Sequence, residues 1–209
     1  MQKIKEEMKV KINKLDRLLY GDSAPGGITD EDFDAIKKGI DEVKPKVFIE
    51  IGAGRSTRLV FEYLCKKYPS CVFYTIDPII RFLEKAGQDF ETHKNFNSLL
   101  GLSVKKEDLV SPALEEFGTY SGDENILVDL LESKFKNRKV DMMFIDSREG
   151  SAVAEFKAIE KYLSAKAIVF CHDVLNGGTG HELQEYLKDK PYKCTIEPSS
   201  VGTLRVEKI

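Results

Sequence analysis

From Lys46 onward, short apolar runs rich in Val, Ile and Phe alternate with segments whose apolar residues recur at helical spacing. Val47-Phe-Ile-Glu-Ile51, Val72-Phe-Tyr-Thr-Ile76, Val140 to Ile145 and Ala167 to Cys171 read as strands bounded by polar or glycine-containing turns. Between them, helices are predicted over Ser56 to Lys67, with Leu59, Val60, Tyr63 and Leu64 inward, and around Ile79, Leu83, Ala86 and Phe90. Two more fall over Ile126 to Phe135 and Ser151 to Leu163. Strands joined through helices of this length demand right-handed crossovers, so the chain must form an α/β, doubly wound and mostly parallel sheet.

The ends depart from that rhythm. Ile4, Met8, Ile12, Leu15 and Leu19 recur among lysines and glutamates, which predicts an amphipathic helix over Gln2 to Leu19, free to cover the sheet, a substrate or a second subunit. Gly21 to Gly27 reads as a loop, and Thr29-Asp-Glu-Asp32 opens a helix that runs to about Val43. Residues 1–45 are therefore expected as a helical extension packed on a core formed by 46–209. At the other end, a helix over His181 to Lys188 precedes strands Tyr192 to Glu197 and Val201 to Glu207, and the short Pro198-Ser-Ser200 link forces them into an antiparallel hairpin. Asn95 to Asn125 offers one strand, Leu102 to Lys105, and an exposed loop, Gly118 to Asn125.

At 209 residues the chain is long enough for one domain with a sizeable core and too short for two ordinary enzyme domains. Lys+Arg 32 against Asp+Glu 35 leaves a net charge of −3, which lacks the basic footprint of a nucleic-acid binder. Met1 to Met8 is charged and no apolar run reaches spanning length, so no membrane partner and a cytoplasmic location are expected. Cys65, Cys71, Cys171 and Cys194 are irregularly spaced in apolar segments and read as reduced core cysteines.

The chemistry concentrates where strands end. Glu50-Ile-Gly52-Ala-Gly54-Arg-Ser56-Thr57 lies at a strand-to-helix turn, and Asp77 closes the next strand. Glycines allow close approach to a ligand, the helix N-terminus offers free N–H groups, and an acid about 20 residues on accepts ribose hydroxyls, so a nucleoside-containing cofactor fits Glu50, Gly52, Ala53, Gly54, Ser56, Thr57 and Asp77. A pyrophosphate would meet Glu50 with like charge, and Thr57 stands where a dinucleotide fingerprint has Gly or Ala. S-adenosylmethionine carries an ammonium and a sulfonium, for which Glu50 is an asset.

On these residues the chain resembles the class I S-adenosylmethionine-dependent methyltransferases. Glu50-x-Gly52-x-Gly54 looks like their first motif, Asp77 like the ribose-binding acid, and the terminal hairpin like their antiparallel end, which implies a seven-stranded Rossmann-like sheet. Phe144-Ile-Asp146 and Cys171-His-Asp-Val-Leu-Asn-Gly-Gly178 are similar to the small-molecule O-methyltransferases of the catechol and caffeoyl-coenzyme A type and their bacterial relatives. The resemblance implies methyl transfer to an oxygen of a small-molecule acceptor, with the acid after the fourth strand holding a divalent metal beside an Asp-Asn pair after the fifth. Here His172-Asp173 occupies the place of that pair, and Ser147-Arg148-Glu149 replaces the lysine that follows the first acid.

Asp146, His172 and Asp173 are thus the candidate catalytic residues, at the sheet edge where ligands bind in open α/β folds. Asp146 and Asp173 can hold Mg²⁺ and lower an acceptor pKa, or His172 can act as general base; helix capping by Asp146 and loop hydrogen bonding by His172 are the structural alternatives. Asp108 would receive an adenine amino group if Leu102 to Lys105 is the third strand; otherwise it is a solvated charge. Arg148 can clamp an acidic substrate or lie on the surface, His181 can flank the pocket or merely open a helix, and His93 reads as surface. Two other functions remain open: a nicotinamide-dependent oxidoreductase using the same turn, and a non-catalytic S-adenosylmethionine-binding module.

Overall fold

The computed structural model describes residues 27–209 of the chain. The helix expected over Gln2 to Leu19, and the Gly21 to Gly27 loop apart from Gly27 itself, lie outside the described residues.

The first described helix, α1 (Asp30–Val43), starts where the sequence places it, and its physical cause is a reciprocal cap. The Thr29 hydroxyl accepts from the Asp32 backbone N–H at 3.2 Å, and Asp32 Oδ2 accepts from the Thr29 N–H at 2.8 Å. Next come β1 (Val47–Ile51), α2 (Arg55–Lys67), β2 (Val72–Asp77), α3 (Ile80–Gly87) and β3 (Phe96–Leu100). The chain continues through a 3₁₀ turn at Lys106–Asp108 to α4 (Ala113–Phe117), α5 (Ile126–Lys134), β4 (Val140–Ile145) and α6 (Ala152–Ile159). It ends with β5 (Leu163–Cys171), α7 (Thr179–Leu187), β6 (Tyr192–Glu197) and β7 (Thr203–Lys208).

The seven strands form one sheet in the order β3-β2-β1-β4-β5-β7-β6. The first five are mutually parallel, while β7 runs antiparallel to both β5 and β6. This is the doubly wound arrangement with an antiparallel terminal hairpin expected from the alternation. The order reverses beside β1: from β1 the chain builds outward to β3, then crosses to β4, leaving a crevice at the carboxyl ends of β1 and β4.

Strand alternation divides the core. Ile49, Ile51, Met143 and Ile145 face α5, α6 and α7, meeting Leu127, Leu131, Phe156 and Leu183. Phe48, Met142, Phe144 and Phe170 face α1 and α2, meeting Ile36, Ile40, Val60, Phe61 and Leu64. Residues expected as an extension therefore enter the core: α1 lies so close to the sheet that a Cβ on Gly39 would come within 2.7 Å of the Phe170 ring. Cys65, Cys71, Cys171 and Cys194 are free thiols, and among the described residues no helix is long and apolar enough to cross a membrane.

Three local expectations need correction. The third strand is Phe96–Leu100, not Leu102 to Lys105; it pairs with β2 from Phe73↔Phe96 to Asp77↔Leu100. As an edge strand it buries only Phe96 fully, so Asn97 and Ser98 obscure its pattern. Leu102 and Val104 are buried as irregular chain against Leu109 and Ala113. The helix expected to reach Leu163 stops at Ile159, passes through a 3₁₀ turn at Glu160–Tyr162, and gives way to β5, whose first four residues are partly or largely exposed. Helix α7 begins two residues earlier than expected, at Thr179.

Phe61 is the hub of the second half-core, its ring centroid 4.9 Å from that of Phe96, 5.0 Å from Phe90 and 5.5 Å from Phe73. Phe61→Ala should cost about 3–5 kcal/mol through lost transfer energy and an unfilled cavity. Urea unfolding should show a lower midpoint at unchanged slope.

Candidate functional site

The site begins with a turn that only glycine can make. Leaving β1, the chain adopts φ +93° at Gly52, and a Cβ there would lie 2.1 Å from the carbonyl oxygen of Asp146. The turn is sewn into its neighbours: the Gly52 N–H donates to the Ile76 carbonyl at 2.9 Å, and the Asp146 N–H to the Ile51 carbonyl at 2.8 Å. It leads to Gly54, which precedes α2 and whose missing side chain would have met only open space.

Asp77 faces this turn from the end of β2. One carboxylate oxygen accepts from the Ala53 N–H at 2.9 Å and the other from the Ile79 N–H at 2.7 Å. Burial pushes its pKa up to about 6 despite these two bonds, so it is ionised at neutral pH yet poorly hydrated. A cavity of about 350 Å³ opens here, walled by Gly52, Asp77, Ile79 and Phe82 on one side and Asp146, Ser147 and Asp173 on the other.

Glu50, Ser56 and Thr57 stand behind the turn, off that wall. Glu50 is fully buried; its Oε2 accepts from the hydroxyls of Thr57 at 2.5 Å and Thr75 at 2.9 Å. Burial drives its pKa up to about 8, against the pull of the Ser56, Thr57 and Thr75 hydroxyls and with added repulsion from Asp146. Its physical role in the turn is visible: Thr57 accepts from the Gly54 N–H at 2.9 Å while donating to Glu50, so the carboxyl braces the start of α2.

At the ends of β4 and β5, Asp146, His172 and Asp173 come together as their sequence positions foretold, and a fourth residue joins them. His172 is 1% exposed, with Nδ1 3.1 Å from Asp146 Oδ1 and 3.6 Å from Asp173 Oδ1, and Nε2 3.3 Å from Asp32 Oδ2. Asp32, the cap acid of α1, is itself buried and also accepts from Thr203 Oγ1 at 2.7 Å. Although burial opposes it, these carboxylates raise the His172 pKa to about 10, while the hydrogen bonds to Asp32 hold its carboxyl well below the usual range. With a carboxylate at each nitrogen, the imidazolium form of His172 is favoured. One ligand atom from each of Asp146, His172 and Asp173 lies within 4.8 Å of the others, a donor set of two carboxylates and one imidazole.

The remaining candidates disperse. Asp108 is exposed in the 3₁₀ turn and borders a neighbouring groove with Val104, Asn125 and Lys157, not the cavity. Arg148 lies at the cavity mouth, its Nε 2.6 Å from Glu116 Oε2. His181 is exposed near the start of α7, and His93 is exposed after α3. Sequence reading overlooked Asp32, taken only as a cap, and Glu155, which is buried in the cavity wall behind Ser103 and Ser147. The four-residue spacing of Ser151, just before α6, and Glu155, on its first turn, was the available signal for the latter.

No protein-family model matches the chain, and no curated protein matches it. Solved structures do. The O-methyltransferase TomG from Streptomyces achromogenes, involved in tomaymycin synthesis and in complex with S-adenosylmethionine, superposes with TM-score 0.68 at 14% identity, over 94% of this chain and 88% of that one. An O-methyltransferase from Bacillus cereus in complex with S-adenosylhomocysteine gives 0.68 at 11% identity, covering 95% and 90%. The S-adenosylhomocysteine-bound methyltransferase PaMTH1 of Podospora anserina gives 0.62 at 14%, covering 95% and 87%. The fold of this chain is thus the Rossmann-like methyltransferase fold, and the chain is similar in structure to O-methyltransferases.

Because the folded Glu50 pKa of about 8 lies above the ordinary glutamate value of 4.5, the native state retains a proton that the unfolded chain releases. Stability from this group is greatest below pH 4.5, falls as pH rises through that window, and is at its lowest above 8. Glu50→Gln should accordingly flatten the decline of Tm between pH 5 and 8 relative to wild type, measured by calorimetric melts at fixed ionic strength.

Proposed function

We propose that the protein transfers a methyl group from S-adenosylmethionine to an oxygen of a small-molecule acceptor. One observation carries this reading: the cavity beside the Gly52 turn is lined by Asp77, Glu116, Asp146, Glu155 and Asp173, against a single cation, Arg148, already paired with Glu116. Such a wall attracts an ammonium and a sulfonium and repels a pyrophosphate, which disfavours a nicotinamide dinucleotide on charge alone. The negative charge comes from the strand-end aspartates, not from Glu50, whose carboxyl is buried and near neutral.

The residues present fit the cofactor. Gly52 leaves its backbone exposed to close approach, and Asp77, with one N–H on each oxygen, keeps lone pairs for the two ribose hydroxyls. The sulfonium supplies an electrophile strong enough to need no further activation. What the chain must add is alignment, removal of water and an ionised acceptor. Ile79, Phe82, Leu109 and Phe117 form the apolar part of the wall. Asp146 and Asp173 flank the acceptor position, and His172 fixes Asp146 while countering its charge.

A divalent cation fits the same three residues, with Asp146, Asp173 and His172 Nδ1 as donors and Asp32 holding the Nε2–H, as carboxylates do behind ligating histidines. It would replace the Nδ1 proton and lower the pKa of the acceptor hydroxyl.

Calorimetry should show S-adenosylhomocysteine binding and no comparable binding of NADH. Asp77→Ala should weaken that binding by at least about tenfold, since charge-assisted hydrogen bonds are lost. Affinity should also fall as pH drops below about 6, where Asp77 gains its proton. Tight NADH binding with none of S-adenosylhomocysteine would sink the reading. Methyl transfer to a hydroxyl acceptor that Asp146→Ala abolishes would exclude a purely binding module, and its survival in excess chelator would identify His172, not a metal, as the local positive charge.

A further inference from the structure

The edge of the sheet opposite the Gly52 turn carries a second cavity, of about 510 Å³, that the reaction above does not use. Val47 and Val72, register partners that open β1 and β2, form its floor, and Tyr74 continues the same face of β2. Its rim is the chain that leaves α5. Phe135 is 2% exposed and packs edge-on against Tyr74, ring centroids 5.8 Å apart, while its N–H donates to the Leu131 carbonyl at 2.9 Å. The Arg138 N–H donates back to the Phe135 carbonyl at 3.3 Å. A buried aromatic anchor and a closed turn thus fix the backbone from which Lys134, Lys136 and Arg138 reach the cavity.

Those three cations have no acidic counterpart, since no Asp or Glu lines this cavity. Elsewhere arginines are paired: Arg55 meets Asp30, Arg58 meets Asp89, Arg148 meets Glu116, Arg205 meets Glu42, and Arg81 lies over the Phe82 ring. Arg138 alone among the described arginines has neither a carboxylate nor a ring, and no ion pair among the described residues takes up Lys134 or Lys136. Like charges this close in the chain repel, and a multiply charged anion relieves that repulsion where a single carboxylate would leave most of it. A guanidinium fork and two ammonium groups suit phosphate oxygens. Burial pushes the Tyr74 phenol pKa up, with Arg138 pulling the other way, so its hydroxyl keeps a proton at neutral pH and can donate beside the cations. The apolar floor asks for more than an inorganic ion, because only a ligand with a body of its own covers it.

We propose that this cavity is a binding site for an organic diphosphate, its phosphates held by Lys134, Lys136 and Arg138 and its body laid on Val47, Val72 and Tyr74. It stands apart from the cofactor cavity. Strands β1 and β2 begin here and end at Gly52 and Asp77, so the five residues of β1, about 17 Å of extended chain, separate the two. Charge separates them as well, acids lining the one and cations the other.

Calorimetry on the full-length protein with S-adenosylhomocysteine in excess tests this with adenosine diphosphate, geranyl diphosphate and inorganic pyrophosphate. At least one organic diphosphate should bind saturably and at least about tenfold more tightly than pyrophosphate, because its body covers apolar surface. Which of the two binds tells a nucleoside body from a prenyl one. Replacing Lys136 and Arg138 together by Ala should weaken that binding by at least about tenfold, whereas Lys166→Ala, at an exposed lysine in a different cavity, should leave it unchanged. Circular dichroism melts establish that the variants fold, and if the double variant does not, Lys136→Ala decides. Binding of neither organic diphosphate, binding no tighter than pyrophosphate, binding unmoved in the folded variants, or displacement by S-adenosylhomocysteine overturns the inference. A single-stranded oligonucleotide that binds more tightly than either diphosphate, and is lost in the same variants, overturns it by assigning the cations to nucleic acid. If S-adenosylhomocysteine itself does not bind, the cofactor reading fails and this test is unaffected.

Discussion

The contact on which the site depends is the buried ion group of Asp32, His172 and Asp146. It links the cap of α1 to the carboxyl ends of β4 and β5 and, through Thr203, to the start of β7. Charges this deep are tolerated only when each is paired and hydrogen-bonded, and removing one partner from such a group typically costs about 3–5 kcal/mol. The group therefore joins distant parts of the chain under a strong penalty for separation: Asp32 and His172 lie 140 positions apart. Because its members are also cavity wall or its immediate backing, folding of the core and assembly of the site are one event.

Two buried glutamates flank the Gly52 turn without reaching into it in the same way. Glu50 braces α2 through Thr57, and Glu155 orders the serines after β3 and β4. In both cases burial pushes the pKa up while hydroxyl donors pull it down. Hydroxyls suit that task because they can donate to a carboxylate or accept from a carboxylic acid, and they carry no charge that would alter the cavity. The aspartates differ. Asp77 binds backbone N–H groups and Asp146 the His172 imidazole, partners that favour the carboxylate while burial pushes both pKa values up.

Much of this was readable from the chain. Period-two and helical apolar patterns locate β1, β2, β4 and β6 closely, because each is apolar and bounded by turns. The antiparallel end follows from a short link, read as Pro198-Ser-Ser200 and found to span five residues, 198–202, because β7 starts at Thr203, not Val201. Strand β3 escaped since an edge strand need not be apolar throughout, and Asn97-Ser98 broke its pattern. Asp77, Asp146, His172 and Asp173 were legible because strand ends in this topology converge on one edge. Asp32 and Glu155 were not, since their significance lies in contacts made over 140 and 52 positions, which no local pattern records. Glu50 shows the converse: its place in a glycine motif suggested a charge in the cavity, whereas the inward face of β1 buries it among hydroxyls.

His172-Asp173 at the end of β5 bears on the proposed chemistry through charge. An acid-lined cavity helps to gather a sulfonium, but the same acids oppose ionisation of the hydroxyl that must attack it. On the proposed reading, Asp146 and Asp173 on their own would raise the acceptor's pKa and slow the transfer. A positive charge beside them would reverse that effect, and Asp146 on one nitrogen and Asp32 on the other favour the protonated form of His172. Three acidic side chains, Asp32, Asp146 and Asp173, surround the one imidazole, an arrangement that favours a cation nearby. The nitrogen turned toward Asp146 and Asp173 is the point at which that balance can change: a proton there serves as the local counter-charge, and any group that displaces it must carry at least as much positive charge to keep the acceptor ionisable.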